Sequence, residues 1–215
     1  MSGKFITFEG GEGAGKSTQV RRLAARIGQS GHRVVTTREP GGTPAAEAIR
    51  AFILGGRARE MGSAGEAVLF AAARADHVAS VIRPALADGA WVLCDRFTDS
   101  TQVYQGSEGG TATAVLDALE RVAVGVTRPD LVIVLDLPAE AGLRRVRSRH
   151  AETGGRPDRF DSDELGLHER RRQAFLALAD RDPARYAVVD ANRAEDEVAE
   201  DIWGIVSGRL MRQAA

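Results

Sequence analysis

The run Gly10-Gly11-Glu12-Gly13-Ala14-Gly15-Lys16-Ser17 leaves this chain little freedom of fold. It satisfies G-x4-G-K-[ST]. It follows a short apolar run, Phe5 to Glu9, and precedes apolar residues at helical spacing, Val20, Leu23, Ala24 and Ile27. A strand before and a helix after is the context in which such a loop holds phosphate. Glycines let backbone N–H groups turn inward with no Cβ in the way. Those groups and the following helix N-terminus then face an anion. Residues Gly10, Gly11, Glu12, Gly13, Ala14, Gly15, Lys16, Ser17 and Thr18 are therefore expected to hold a nucleoside triphosphate, most simply ATP. Lys16 adds a point charge at the terminal phosphates, and Ser17 offers a hydroxyl to Mg²⁺. Glu12 is the anomaly, because a carboxylate repels phosphate.

The rest of the chain alternates strands with helices. Strands are expected at Phe5–Glu9, His32–Thr37, Ala90–Cys94, Leu131–Leu137 and Tyr186–Asp190. Helices are expected at Ser17–Gln29, from Thr43 or Pro44 to about Leu54, and from about Ala67 to Asp88 with an interruption near Pro84. Others are expected at Thr111–Val124, Ala139–His150, Glu164–Asp180 and Glu195–Met211. Residues 55–65 read as irregular and 151–160 as a mobile loop. Strands this solidly apolar imply a parallel sheet covered on both faces. The expected fold is α/β, a doubly wound five-stranded parallel sheet of the P-loop NTPase type flanked by helices.

A length of 215 residues suits one compact domain, and no linker or internal repeat divides it. A formal net charge of −1 gives no global basic field, so nucleic acid is not an expected partner. Cys94 is the single cysteine, which excludes an internal disulfide and a cysteine-based zinc site; in its apolar run it reads as a buried strand residue. No apolar window reaches membrane-span length and no signal-peptide pattern opens the chain, so a soluble, cytoplasmic protein without membrane contact is expected.

A phosphate loop does not name an activity, since motors, switches and small-molecule kinases share it. Three further segments bear on an acceptor. Thr37-Arg38-Glu39-Pro40-Gly41-Gly42-Thr43 places Arg38 at the end of the second strand, and Asp95-Arg96-Phe97 places Arg96 at the end of the third. Ligands of doubly wound sheets sit beyond these carboxyl ends, and a guanidinium fork suits phosphate. Phe70 and Arg74, four apart on a helix, share a face on which a ring and a guanidinium can meet a nucleobase. Each also has a plain structural reading, as a core ring or a solvated charge. Thr101, Tyr104 and Gln105 fall at i, i+3 and i+4, so in a helix they point one way.

The segments FEGGEGAGKST, TREPGGT, LFAAARADH, DRFTDSTQVYQG, RPDLVIVLDLP and DRFD occur in this order at suitable spacing. Together they resemble the thymidylate kinase family over nearly the whole chain. TREPGGT with DR[YF]-x2-S-x3-YQG is specific; the phosphate loop alone is not. The resemblance implies transfer of the γ-phosphoryl of ATP to dTMP by a single nucleoside monophosphate kinase domain, residues 1–215, with a lid at about 148–160.

The same resemblance implies roles for matching residues. Arg38 and Arg96 would hold the dTMP phosphate, Phe70 would stack on thymine, and Arg74, Thr101 and Gln105 would read the base edge. Tyr104 would sit against the deoxyribose carbon and exclude a 2′-hydroxyl. Glu12 would approach the sugar 3′-hydroxyl, which accounts for a carboxylate in the loop. Ser17 would hold Mg²⁺, and Asp95 would help order the Mg²⁺ shell or the acceptor-side contacts. Lys16, Arg96, Glu12 and Asp95 would be catalytic together with a lid arginine, because Gly13-Ala14 occupies the slot where another branch of the family carries one. Arg156 is the first candidate, with Arg149 and Arg159 beside it. Asp190 to Arg193 would pass near adenine, and a homodimer packed through helices is expected, with the alanine-rich stretch from Ala67 to Ala79 either its contact or a tight core. Val103 and Phe97 depart from the family's usual alanine and tyrosine, and Phe97 lacks a hydroxyl. Two rivals remain open from sequence: another nucleoside monophosphate kinase, which would lack TREPGGT and YQG, and a nucleotide-dependent switch, against which stands the absence of N-K-x-D.

Overall fold

The computed structural model describes residues 3–154, 160 and 163–211. Its centre is a five-stranded parallel sheet in the order β2-β3-β1-β4-β5, with β1 Phe5–Glu9, β2 Val34–Arg38, β3 Trp91–Asp95, β4 Leu131–Asp136 and β5 Tyr186–Asp190. All five residues of β1 are buried, as expected of a strand with neighbours on both sides and helices on both faces. The sheet turns its winding direction around β1, which lies between β3 and β4. Register then levels the strand ends. Phe8 stands opposite Asp95 and Ile133, and Arg38 stands opposite Asp95. Residues just past Phe8, Arg38 and Asp95 therefore share one rim, at the switch point where such sheets bind ligands.

Helices close both faces. Helices α1 (Lys16–Gln29) and α9 (Glu195–Val206) cover one face with Val20, Leu23, Ile27, Ile202 and Val206 against Ile6, Phe8, Leu93 and Ile133. The other face holds Phe5, Val92, Cys94, Val78, Ile82 and Val124, with Phe5 and Phe97 in edge contact at 5.0 Å. Burial pushes the Cys94 thiol pKa up, in keeping with a packed strand residue. Helix α2 (Pro44–Leu54) starts cleanly because Thr43 Oγ1 accepts from the Ala46 N–H at 3.0 Å and Pro44 needs no donor in the first turn. Among the described residues no helix is long and apolar enough to cross a membrane.

Several boundaries differ from those expected. Strand β2 lies two positions later at its start and reaches Arg38, which ties that arginine to the sheet. Residues 55–65 are not wholly irregular: a short 3-10 turn, Arg59–Met61, leads into α3 (Gly62–His77), which begins before Ala67. The interruption expected near Pro84 is present, but as a shift of register and not a break in the helix. A wide turn over Val78–Ile82, in which the Arg83 N–H reaches the Val78 carbonyl, shifts the hydrogen-bond register just ahead of the proline, and α4 (Arg83–Ala87) continues. After α5 (Thr98–Thr101), residues Gln102–Glu108 form a second wide turn. Helix α6 (Thr113–Val124) follows, and then α7 (Ala139–Thr153), which runs past the expected stop at His150 and into the expected loop. Gly154, with φ 66°, caps it; Arg156 and Arg159 lie outside the described residues. Helix α8 spans Leu165–Arg181.

Candidate active site

The phosphate loop leaves β1 at Gly10 and enters α1 at Lys16. No side chain caps the first turn of α1, whose N-cap is Gly15 at φ 90°. The first N–H groups of a helix have no partner within it, and an anion at such a turn satisfies them. Gly13, at φ 71°, has a second constraint: a Cβ there would sit 2.2 Å from the Gly142 carbonyl oxygen of α7. Reciprocally, a Cβ on Gly142 would meet the Glu12 carbonyl oxygen at 2.3 Å. Loop and helix thus pack backbone on backbone.

Lys16 is 7% exposed and donates from Nζ to the carbonyls of Gly10, at 3.1 Å, and Gly11, at 2.7 Å. Burial, then the nearby Arg96 charge, hold its pKa down to about 8. The Ser17 hydroxyl donates to Asp95, joining the loop to the end of β3.

Arg96 follows at φ 68°, a left-handed conformation rare for a residue with a side chain. Its surroundings hold it there. The backbone N–H donates to the Phe8 carbonyl at 2.9 Å. The guanidinium donates to the Gly10 carbonyl at 3.3 Å, Ser100 Oγ at 3.1 Å and Glu12 Oε1 at 2.7 Å. Burial alone would lower the Arg96 pKa, but the Glu12 carboxylate raises it above the ordinary arginine value. Glu12 shows the converse. Burial pushes its carboxyl up, yet Arg96, Lys16 and the Tyr104 hydroxyl outweigh this and bring it to about 2. Tyr104 donates to Glu12 Oε1 at 2.7 Å, and burial raises its own pKa, so it keeps its proton.

The remaining predicted residues line the same cleft, of about 990 Å³: Arg38, Phe70, Arg74, Thr101 and Gln105 on one side, and Gly13 to Thr18 with Asp95 on the other. Thr101, Tyr104 and Gln105 point together although residues 102–108 are a wide turn rather than an α-helix. Gly10 and Gly11 face Lys16 with their carbonyls and are not among the lining residues. Arg149 lines the cleft from α7; Arg156 lies outside the described residues. The loop after β5 is present as Ala191, Asn192 and Arg193, with Arg145 donating to the Ala191 carbonyl at 3.1 Å.

Some site residues were not singled out from sequence. Glu9 closes β1, fully buried, and accepts from the Phe97 N–H at 2.7 Å and Ser100 Oγ at 2.6 Å. Burial, reinforced by Asp99, raises it to about 7. A carboxylate ending an apolar strand was the available signal. Arg144, Arg145 and Ser148 join Arg149 on the cleft side of α7, which helical spacing within its basic run could have indicated. Phe160 edges Tyr104 at 5.2 Å, and the Arg171 guanidinium lies 4.5 Å from the Tyr104 ring centre while donating to Asp163 at 2.6 Å. No local pattern announces those contacts.

Comparison with known proteins agrees in fold and sequence. Residues 8–202 match the family model described as thymidylate kinase. A thymidylate kinase of Bradyrhizobium sp. is 51% identical over 213 residues, covering 99% of this chain and 93% of the relative. One of Nitrobacter winogradskyi is 50% identical over 209 residues, covering 97% and 90%. A crystal structure of thymidylate kinase from Ehrlichia chaffeensis superposes with a TM-score of 0.77 at 28% identity, covering 96% of this chain and all of that one.

Proposed function

The chain belongs to the thymidylate kinase family, and from that premise we propose how its own residues move the γ-phosphoryl group of ATP to dTMP. The protein is a nucleoside monophosphate kinase giving dTDP and ADP. One observation carries the residue assignments. Lys16 and Arg96 both donate to the Gly10 carbonyl, so the cations of the donor loop and of the acceptor side meet at one atom. Two anions must be brought together in this reaction, and convergent positive charge is what permits it.

Gly10 to Thr18 hold the triphosphate, with Lys16 at its terminal phosphates. Arg38 and Arg96 hold the dTMP phosphate. Phe70 stacks on thymine, and Arg74, Thr101 and Gln105 meet its edge. Tyr104 packs against the deoxyribose where a ribose would carry a further hydroxyl. Glu12, ionised across neutral pH, accepts the sugar 3′-hydroxyl proton in a hydrogen bond. No strong base is required, since the acceptor phosphate is already an anion. Arg149 and Arg156 are the lid cations, supplied from α7 and the segment after it. The whole chain acts as one domain, working in the cytoplasm where its substrates are.

Ser17 and Asp95 suit Mg²⁺. Their side chains touch, and among the described residues no group of three or more histidine, cysteine, aspartate or glutamate side chains could cage a metal. Mg²⁺ commonly takes one or two protein oxygens and fills its remaining positions with phosphates and water. When bound it neutralises charge on the transferring group.

A homodimer is the proposed assembly. Val68 on α3 and Val115 and Val122 on α6 are exposed apolar side chains on two helices that pack together. Ala67, Ala71 and Ala73 are buried within this chain, which favours the tight-core reading of the alanine run.

ADP release measured with dTMP, dCMP, AMP and GMP as acceptors tests the assignment; rapid release only with a purine acceptor overturns it. A second expectation follows from Lys16. A bound polyphosphate favours its charged form, so ATP binding at pH about 8.5 takes up protons, and affinity weakens as pH climbs further. Calorimetry in two buffers of different ionisation enthalpy reads the uptake, and proton-neutral binding there contradicts it. The sign for folding agrees: the native state sheds this proton before the unfolded chain does. Lys16 therefore destabilises the fold fully below pH about 8 and less above it.

A further inference from the structure

Each of two side chains assigned above to the thymine edge is held from behind by a buried carboxylate. Arg74 is 4% exposed and donates from Nε to Glu39 Oε2 at 2.6 Å, while one terminal nitrogen donates to the Phe97 carbonyl at 3.0 Å and to Thr101 Oγ1 at 3.1 Å. Glu39 is itself fixed. Its Oε1 lies 2.9 Å from His77 Nδ1, and His77 Nε2 lies 2.6 Å from Thr37 Oγ1. With the hydrogen on Nδ1, the histidine donates to Glu39 and accepts from Thr37, which satisfies every group without a further charge. The turn after Pro40 closes over this ring: a Cβ on Gly42 would fall 2.6 Å from it. Gln105, 2% exposed, donates from Nε2 to Glu66 Oε2 at 3.3 Å, and Glu66 is equally buried.

We propose that Glu39, braced by His77, and Glu66 are positioning residues that set the hydrogen-bond polarity of the base site, presenting a donor from Arg74 and an acceptor from Gln105. A carboxylate offers only lone pairs. Facing Glu66, the Gln105 amide turns its NH₂ backward, and Oε1 is the amide atom left for the cleft. Facing Glu39, the Arg74 fork is locked at Nε, and its remaining terminal nitrogen is left to donate. Thymine presents an acceptor at O4 and a donor at N3–H. Cytosine presents a donor at N4 and an acceptor at N3, the reverse at both positions. Sites that place polar groups this way discriminate far more strongly than apolar pockets, because the wrong ligand leaves them unpaired. The inference rests on Arg74 and Gln105 as the base readers.

The test is kcat/KM for dTMP and for dCMP on the full chain. Glu66→Gln lets either amide atom face Gln105 and is expected to shrink the dTMP preference roughly tenfold. The change should fall in KM for the monophosphates, with KM for ATP within about twofold. Glu66→Met removes the acceptor without burying a new polar group and gives the same readout if Glu66→Gln does not fold. His77→Ala should shrink the preference as well, and His77→Asn, which restores an N–H near the Nδ1 position, should recover it. A dTMP preference unchanged in the Glu66 and His77→Ala variants overturns the proposal. A change in only one limb removes the other carboxylate from it. A parent enzyme indifferent to the two pyrimidines overturns the base-reading assignment and this proposal together.

Discussion

Lys16→Met lowers turnover roughly 10³-fold while the fold survives. Among the described residues the ammonium donates to carbonyl oxygens alone, those of Gly10 and Gly11, and burial holds its pKa down to about 8, in keeping with a charge held at a cost. Removing it therefore withdraws transition-state charge stabilisation without leaving a buried ion of opposite sign unpaired. Single-turnover transfer to dTMP and a thermal melt, read together, separate the two effects. The expected pattern is a collapse in rate with a melting temperature shifted by no more than about 5 °C. A variant retaining a tenth or so of parental turnover excludes Lys16 as the charge on the transferring group.

Arg74→Met has its largest effect on stability. The Arg74–Glu39 pair is 2.6 Å long with side chains 5% and 3% exposed, so truncating the arginine leaves a buried carboxylate without its cation. Breaking such a pair from one side costs about 3–5 kcal/mol, or on the order of 10 °C in melting temperature for a chain of this size. Arg38 supplies the control. Its pair with Glu47, at 3.0 Å, has side chains 56% and 40% exposed, and surface pairs contribute at most about 1 kcal/mol. Arg38→Met should therefore spare stability and weaken dTMP binding. Urea unfolding of both variants checks this; equal losses from the two would mean that burial does not set the cost.

The parts of the molecule legible in the sequence are those governed by near neighbours along the chain. The β1–loop–α1 unit reads directly because a solid apolar run, a glycine cluster and helical spacing each report locally. Arg38, Asp95 and Arg96 were placed correctly because the ends of parallel strands share a rim whatever the strand order. The order itself, with β1 central, is not encoded in periodicity; it emerges from which apolar faces pair. The interruption near Pro84 was legible because proline lacks a donor, but its form, a wide turn ahead of the proline rather than a break at it, is not written in local propensity. The same limit applies within the site. Glu39 and Arg74 are 35 positions apart and Glu66 and Gln105 are 39 apart, so their pairing depends on helix packing that spacing rules do not see. Composition reads residues 151–160 as a loop, but α7 carries its helix through Thr153, because helix continuation depends on what the segment packs against and not on its own residues alone.

The glycine-on-glycine contact between the donor loop and α7 works as a fulcrum. Gly13 and Gly142 bring two backbones together with no side chain as cushion, so the loop cannot shift without the root of that helix shifting too. From Gly142 to the end of α7 the helix reaches roughly 16 Å, and a tilt of about 5° at that contact swings the end by about 1.4 Å. Arg149 rides about two-thirds of the way along that lever. Small adjustments in the phosphate loop are thereby carried outward along α7 to Arg149, through rigid geometry alone.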